Sequence, residues 1–202
     1  MAIESRRLDS VCVYCGSSDA ADPEFLTAAQ ALGEALAAAR LRLVYGGGGV
    51  GLMGACARAA HEAGGGVLGV IPDFLRGRER PLHDVETVVV QSMHERKMMM
   101  FDRSDAFVVL PGGIGTLEEV VELLSWRRLG MHEKPVVFYS PNGFWEPLYA
   151  LFHHTIAENL TPPDFADCWV SVERIEDVIP ALLRMAARSE EKAVEAVATR
   201  IA

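Results

Sequence analysis

The chain has 202 residues, half of them hydrophobic, and a formal charge of -9. That size and apolar content suit one domain with a full core, while the acidic balance argues against a nucleic-acid polymer as partner and means that any bound phosphate must be held by local donors. No run approaches the ~18 apolar residues of a membrane span, and Met1 to Ser10 lacks the apolar core of a secretory signal, so a cytoplasmic location without membrane attachment is expected.

Taken in order, Ser10 to Cys15 reads as a first strand ending in Gly16-Ser17-Ser18, and Pro23 opens an alanine-rich helix to about Arg40. Leu41 to Tyr45 is a second strand. It runs into the glycine-rich turn Gly46 to Gly51, and a second helix continues to about Ala63 before the breaker Gly64-Gly65-Gly66. Val67 to Ile71 is a third strand closed by Pro72, Asp73 to Asp84 an arginine-rich loop, Glu86 to Gln91 a fourth strand and Met93 to Ser104 a short helix. Phe107 to Leu110 is a fifth strand, fully apolar as a buried parallel strand must be. Pro135 to Tyr139, the helix Phe144 to Asn159, the strand Cys168 to Val172 and a last helix from about Ile175 complete the chain. Strand and helix alternate throughout, which predicts a single doubly wound α/β domain, a parallel sheet of about seven strands with helices on both faces. Residues 1–9 and about 186–202 are expected to be peripheral or frayed.

The four cysteines read as reduced core thiols: Cys12 and Cys15, at odd spacing in a strand, face opposite ways, and Cys56 and Cys168 supply no second pair. His61, His94 and His132 each precede a glutamate, but none extends to a His-Glu-x-x-His, so no metal site is expected.

In a doubly wound fold the carboxyl ends of the strands share one edge, so Gly16-Ser17-Ser18, Gly46-Gly47-Gly48, the loop after Pro72 and Pro111 to Thr116 converge there. Gly112, Gly113 and Gly115 can turn backbone N–H groups toward an anion, and the helix after them adds free donors and the positive end of its dipole. A blander reading of the same residues is a capping box, with Thr116 at the cap and Glu119 three residues on. Gly49 to Gly54 also matches the dinucleotide fingerprint, yet it sits on the second strand and one small domain leaves little room for a substrate half. Only Lys97, Lys134 and Lys192 could carry a pyridoxal Schiff base, which disfavours that chemistry. Arg96 falls in the first turn of its helix, the wrong end of the dipole for a cation, and such a placement points to another purpose.

Tyr45-Gly46-Gly47-Gly48 with Gly51-Leu52-Met53-Gly54, then Met93 with Arg96-Lys97, then Pro111-Gly112-Gly113-Ile114-Gly115-Thr116-Leu117-Glu118-Glu119 resemble the Lonely Guy proteins, cytokinin-activating phosphoribohydrolases whose older label is possible lysine decarboxylase. The resemblance runs from about Val11 to about Thr161 and rests on three motifs in order. It implies hydrolysis of the N-glycosidic bond of a nucleoside 5′-monophosphate, AMP or an N6-substituted relative, without metal or cofactor, by a homodimer or larger assembly. It also implies that Arg96 and Glu119 are the catalytic pair, that Gly112, Gly113, Ile114, Gly115 and Thr116 form the phosphate loop, and that Lys97 and Glu79 contact substrate. Ser125 stands where plant relatives carry a threonine. The alternative is a non-catalytic carrier of a nucleotide or of molybdenum cofactor, which shares fold and glycine-rich loops; the presence of both Arg96 and Glu119 favours the enzyme.

Overall fold

The computed structural model describes residues 8–201, and side chains through Ser189; most of the amino-terminal end expected to be peripheral lies outside these residues, whereas 186–201, expected to be frayed, continue the last helix to Ile201. Seven strands, β1 (Ser10–Tyr14), β2 (Arg42–Tyr45), β3 (Val67–Pro72), β4 (Glu86–Val90), β5 (Ala106–Val109), β6 (Val136–Tyr139) and β7 (Val170–Val172), form one parallel sheet in the order β4-β3-β2-β1-β5-β6-β7. The helices are α1 (Pro23–Ala38), α2 (Gly51–Glu62), α3 (Arg76–Glu79), α4 (Met93–Asp102), α5 (Ile114–Arg128), α6 (Glu146–Ala157) and α7 (Val178–Ile201).

Alternation along each strand builds two cores. Val11, Val13, Leu43, Tyr45, Val108 and Leu110 pack beneath α1, α2 and α7, whereas Cys12, Tyr14, Val44, Phe107 and Val109 pack beneath α4, α5 and α6. Cys12 and Cys15 therefore lie on opposite faces, and all four cysteines are free and buried. On the second face, Phe138 meets Trp145, Tyr149 and Trp169 edge-on at 5.7, 5.5 and 6.5 Å.

Local chemistry sets the helix starts. Asp22 caps α1 by accepting the Glu24 N–H at 2.8 Å, with Pro23 opening the first turn. Ser92 caps α4: its hydroxyl accepts the Glu95 N–H at 3.1 Å, and the Glu95 carboxylate accepts the Gln91 N–H at 2.8 Å. The capping box that is the blander reading of Thr116 and Glu119 does not form. α5 begins earlier, at Ile114, with Gly113 at the cap in extended backbone, so Thr116 is already inside the helix and buried. Its hydroxyl sits where a Cβ on Gly112 would be, 2.2 Å away, and only glycine permits that approach. The segment expected as the loop Asp73 to Asp84 likewise contains a helical turn at Asp73–Leu75 running into α3, because local hydrogen bonds satisfy its backbone.

The chain winds outward from β1 in both directions, through β2 to β4 on one side and β5 to β7 on the other. Where the two windings part, between β1 and β5, the loops after the strands diverge and leave a crevice at the carboxyl edge.

Candidate active site

The crevice is stitched open by backbone bonds. Gly16 N–H donates to Pro111 O at 3.0 Å and Leu52 N–H donates to Gly16 O at 3.0 Å, tying the end of β1 to the end of β5 and to the start of α2. α3 closes over the glycine-rich turn after β2: Gly49 N–H donates to Glu79 O at 2.7 Å, and Asp19 accepts from Gly51 N–H at 3.0 Å while pairing with Arg80 at 2.7 Å. Together these loops and the start of α5 enclose a cavity of about 340 Å³.

Arg96, Glu119, Glu79, Ser17, Gly113, Ile114, Gly115 and Thr116 all line this cavity. Arg96 is 6% exposed. Its Nη2 donates to Gly46 O at 3.0 Å and lies 3.9 Å from Glu79 Oε2, while its Nε–H is buried with no hydrogen-bond partner among the described residues. Glu79 Oε2 is buried and unpartnered in the same sense. A cation in the first turn of α4 is disfavoured by the dipole, and the Gly46 carbonyl and the carboxylates facing it offset that cost. Arg96 and Glu79 both line the cavity while each holds a buried polar atom without a hydrogen-bond partner, an arrangement costly enough to call for a functional reason.

Glu119 stands in the second turn of α5, partly open to the cavity but deep in the surrounding protein. Burial pushes its carboxyl up to about 7, Arg96 pulls it down, and Glu118 and Glu79 push it further up. Burial likewise raises Glu79, with Arg96 opposing. A carboxyl near 7 can hold or release a proton at neutral pH. The Cys15 thiol also lines the cavity, but burial holds it well above its ordinary value, which keeps it protonated and unreactive.

At the mouth, Gly113, Ile114 and Gly115 are exposed, and the first-turn N–H groups of α5 point out of the helix end without side-chain caps. Added Cβ atoms on Gly113 or Gly115 would meet nothing within 4 Å, so this is open space for a ligand. Methionines 53, 93 and 100 supply an apolar wall. Only Met93 and Met53 stood within recognisable motifs; Met100 could have been found from its spacing one turn beyond Arg96.

Other expected residues stand elsewhere. Lys97 is bonded by Glu118 and Glu122 of α5, 3.0 Å from the latter, and does not line the cavity. Gly47 and Gly48 are buried behind the wall, against Ile71 and against Met53 and Glu79 respectively, and Gly112 lies under Thr116. Ser125 is exposed, its hydroxyl donating to Val121 O one turn back at 2.7 Å. No cluster of His, Cys, Asp and Glu able to hold a metal occurs among the described residues, and none of their helices is long and apolar enough to cross a membrane.

The family model described as "Possible lysine decarboxylase" matches residues 53–182. A cytokinin riboside 5′-monophosphate phosphoribohydrolase of Arabidopsis thaliana is 40% identical over 183 residues, covering 90% of this chain and 80% of its own. One from Rhodococcoides fascians is 40% identical over 175 residues, covering 86% of this chain and 88% of its own. The solved molybdenum cofactor carrier protein of Chlamydomonas reinhardtii superposes with a TM-score of 0.69 at 23% identity, over 90% of this chain and 99% of the carrier, a likeness of fold.

Proposed function

Because this chain belongs to the family of the cytokinin riboside 5′-monophosphate phosphoribohydrolases, we propose that it hydrolyses the N-glycosidic bond of a nucleoside 5′-monophosphate, AMP or an N6-modified adenine nucleotide, releasing free base and ribose 5-phosphate. The observation that carries this reading is that Arg96 and Glu119 line one cavity whose mouth is the uncapped amino end of α5.

The 5′-phosphate rests on the N–H groups of Gly113 to Thr116, where exposed donors and helix dipole favour an anion even on a protein of charge -9. A cavity of about 340 Å³ suits a mononucleotide and is small for a dinucleotide. As the C1′–N bond breaks, its electron pair leaves with the base, whose nitrogen takes up a proton from water, and positive charge builds on the sugar. Glu119, ionised, faces that charge and takes the proton of the water that attacks C1′; Glu79 holds a ribose hydroxyl. Arg96 turns its guanidinium to the anionic part of the substrate. The remote phosphate supplies binding energy that positions the reacting bond.

We infer further that residues 1–202 form a single nucleotide-binding domain and that the protein acts in the cytoplasm as a homodimer. Met93, Ile114 and Val121 on α4 and α5 expose apolar surface beside the site, which supports self-association there. Sedimentation of the purified protein tests the dimer.

Incubation with AMP and with N6-isopentenyl-AMP, followed by chromatography, tests the activity. Free base is expected; release from neither nucleotide would leave a non-catalytic carrier of the same fold as the better account.

A further inference from the structure

Lys97 and Glu118 are the sequence neighbours of Arg96 and Glu119, and they meet each other across α4 and α5. The Lys97 ammonium is hydrogen-bonded to Glu118 and lies 3.0 Å from Glu122, two carboxylates one turn apart on α5, and its side chain is only 11% exposed. We propose that Lys97 serves the reaction as a positioning residue: clamped between Glu118 and Glu122, it locks α4 against α5 and so sets the spacing of Arg96 and Glu119. The proposal rests on the N-glycosidase reading above.

Three observations carry it. An ammonium has three donors, and two are committed to carboxylates, which raises the lysine's proton affinity against the opposing effect of burial. Lys97 with Glu118 and Glu122 makes a locally negative cluster, the wrong sign for holding a phosphate. Lys97 does not line the cavity, whereas both residues flanking the clamp do. A clamp also acts on charge. Glu119 feels Arg96 and Lys97 from α4, Glu79 from α3 and Glu118 on its own helix, and it lies near Cys12, Tyr14 and Cys15 of β1 and the residue after it. Lys97 lowers the Glu119 carboxyl, so removing the ammonium raises it.

The test compares the full-length wild type with Lys97→Gln and Lys97→Arg, with AMP as substrate and ribose 5-phosphate as competitive probe. For Lys97→Gln, kcat should fall about ten- to a hundredfold through misplaced catalytic groups. KM for AMP and the inhibition constant of ribose 5-phosphate should hold, and the rising limb of the kcat–pH profile should move to higher pH. Lys97→Arg, which keeps the charge, should restore most of the rate. A rise in KM and in the ribose 5-phosphate constant with kcat retained would make Lys97 a phosphate contact and overturn the proposal. If Lys97→Gln does not fold, the Glu118→Gln/Glu122→Gln double variant removes the clamp from the other side, and full turnover there overturns it equally. A silent wild type sinks the N-glycosidase reading and this inference with it, whereas an active wild type with a Lys97→Gln variant that loses phosphate binding sinks only the role of Lys97.

Discussion

Arg96 donates through Nη2 to the carbonyl oxygen of Gly46 at 3.0 Å, and a Cβ added to Gly46 would stand 1.9 Å from that same nitrogen. The first residue of the glycine-rich turn thus both orients the guanidinium and leaves room for it. Gly46→Ala should fold, because the atoms it meets are the far ends of the Arg96 and Met53 side chains, which can swing aside. Arg96 would then lose its seat. Base release from AMP should drop about a hundredfold, as expected when a catalytic group shifts by ~1 Å, with the melting temperature little changed. Equal activity in the variant would show that Arg96 does not work from this position.

Glu119→Gln should abolish turnover and change how stability depends on pH. In the folded protein the carboxyl is raised from 4.5 to about 7, so between those values the native state holds a proton that the unfolded chain has released, and stability falls as pH rises through that window. The glutamine has no charge to bury. The variant should therefore match the wild type below pH ~5 and exceed it above pH ~7 by on the order of 2–3 kcal/mol, which denaturant titrations at the two pH values would measure.

Gly115→Asp separates phosphate binding from stability. A carboxylate in the first turn of α5 is favoured by the dipole, and the added Cβ meets nothing within 4 Å, so stability should hold or rise by about 0.5 kcal/mol. The same charge stands where the phosphate is held. KM for AMP should increase about tenfold or more, a loss of one charge-assisted contact, and steady-state kinetics beside thermal melts would show the two effects with opposite sign.

Phe138→Ala tests the aromatic core that supports β5 and β6. Phe138 is fully buried and meets three aromatic rings edge-on. Truncation should cost about 3–5 kcal/mol, measured as a lowered denaturation midpoint.

The central strands were legible because parallel strands buried on both faces read as unbroken apolar runs, as Phe107 to Leu110 does, and because β1, β2, β3, β5 and β6 run into or close on glycine, proline or serine. That Arg96 and Glu119 should share a site was legible only through the resemblance of their motifs; periodicity could put each on a helix but not bring the helices together. The local rule for a cap also fits Thr116 and Glu119, but α5 starts two residues earlier, with Gly113 in extended backbone at the cap and Thr116 inside the helix against Gly112. Ser92 and Glu95 obey the same rule, and there the serine does cap its helix, with the Glu95 carboxylate reaching one residue further back to the Gln91 N–H. The commitment of Lys97 to two glutamates on another helix is a tertiary contact, which the pair Arg96-Lys97 alone could not reveal.

Ile114 lines the cavity while remaining 84% exposed. A side chain so placed bears on the entrance yet carries almost none of the weight of the protomer's interior, so exchanges there are nearly free for folding. Evolution can therefore reshape the doorway without touching the chemistry behind it, and lineages of this enzyme can diverge in diet through a single rim position.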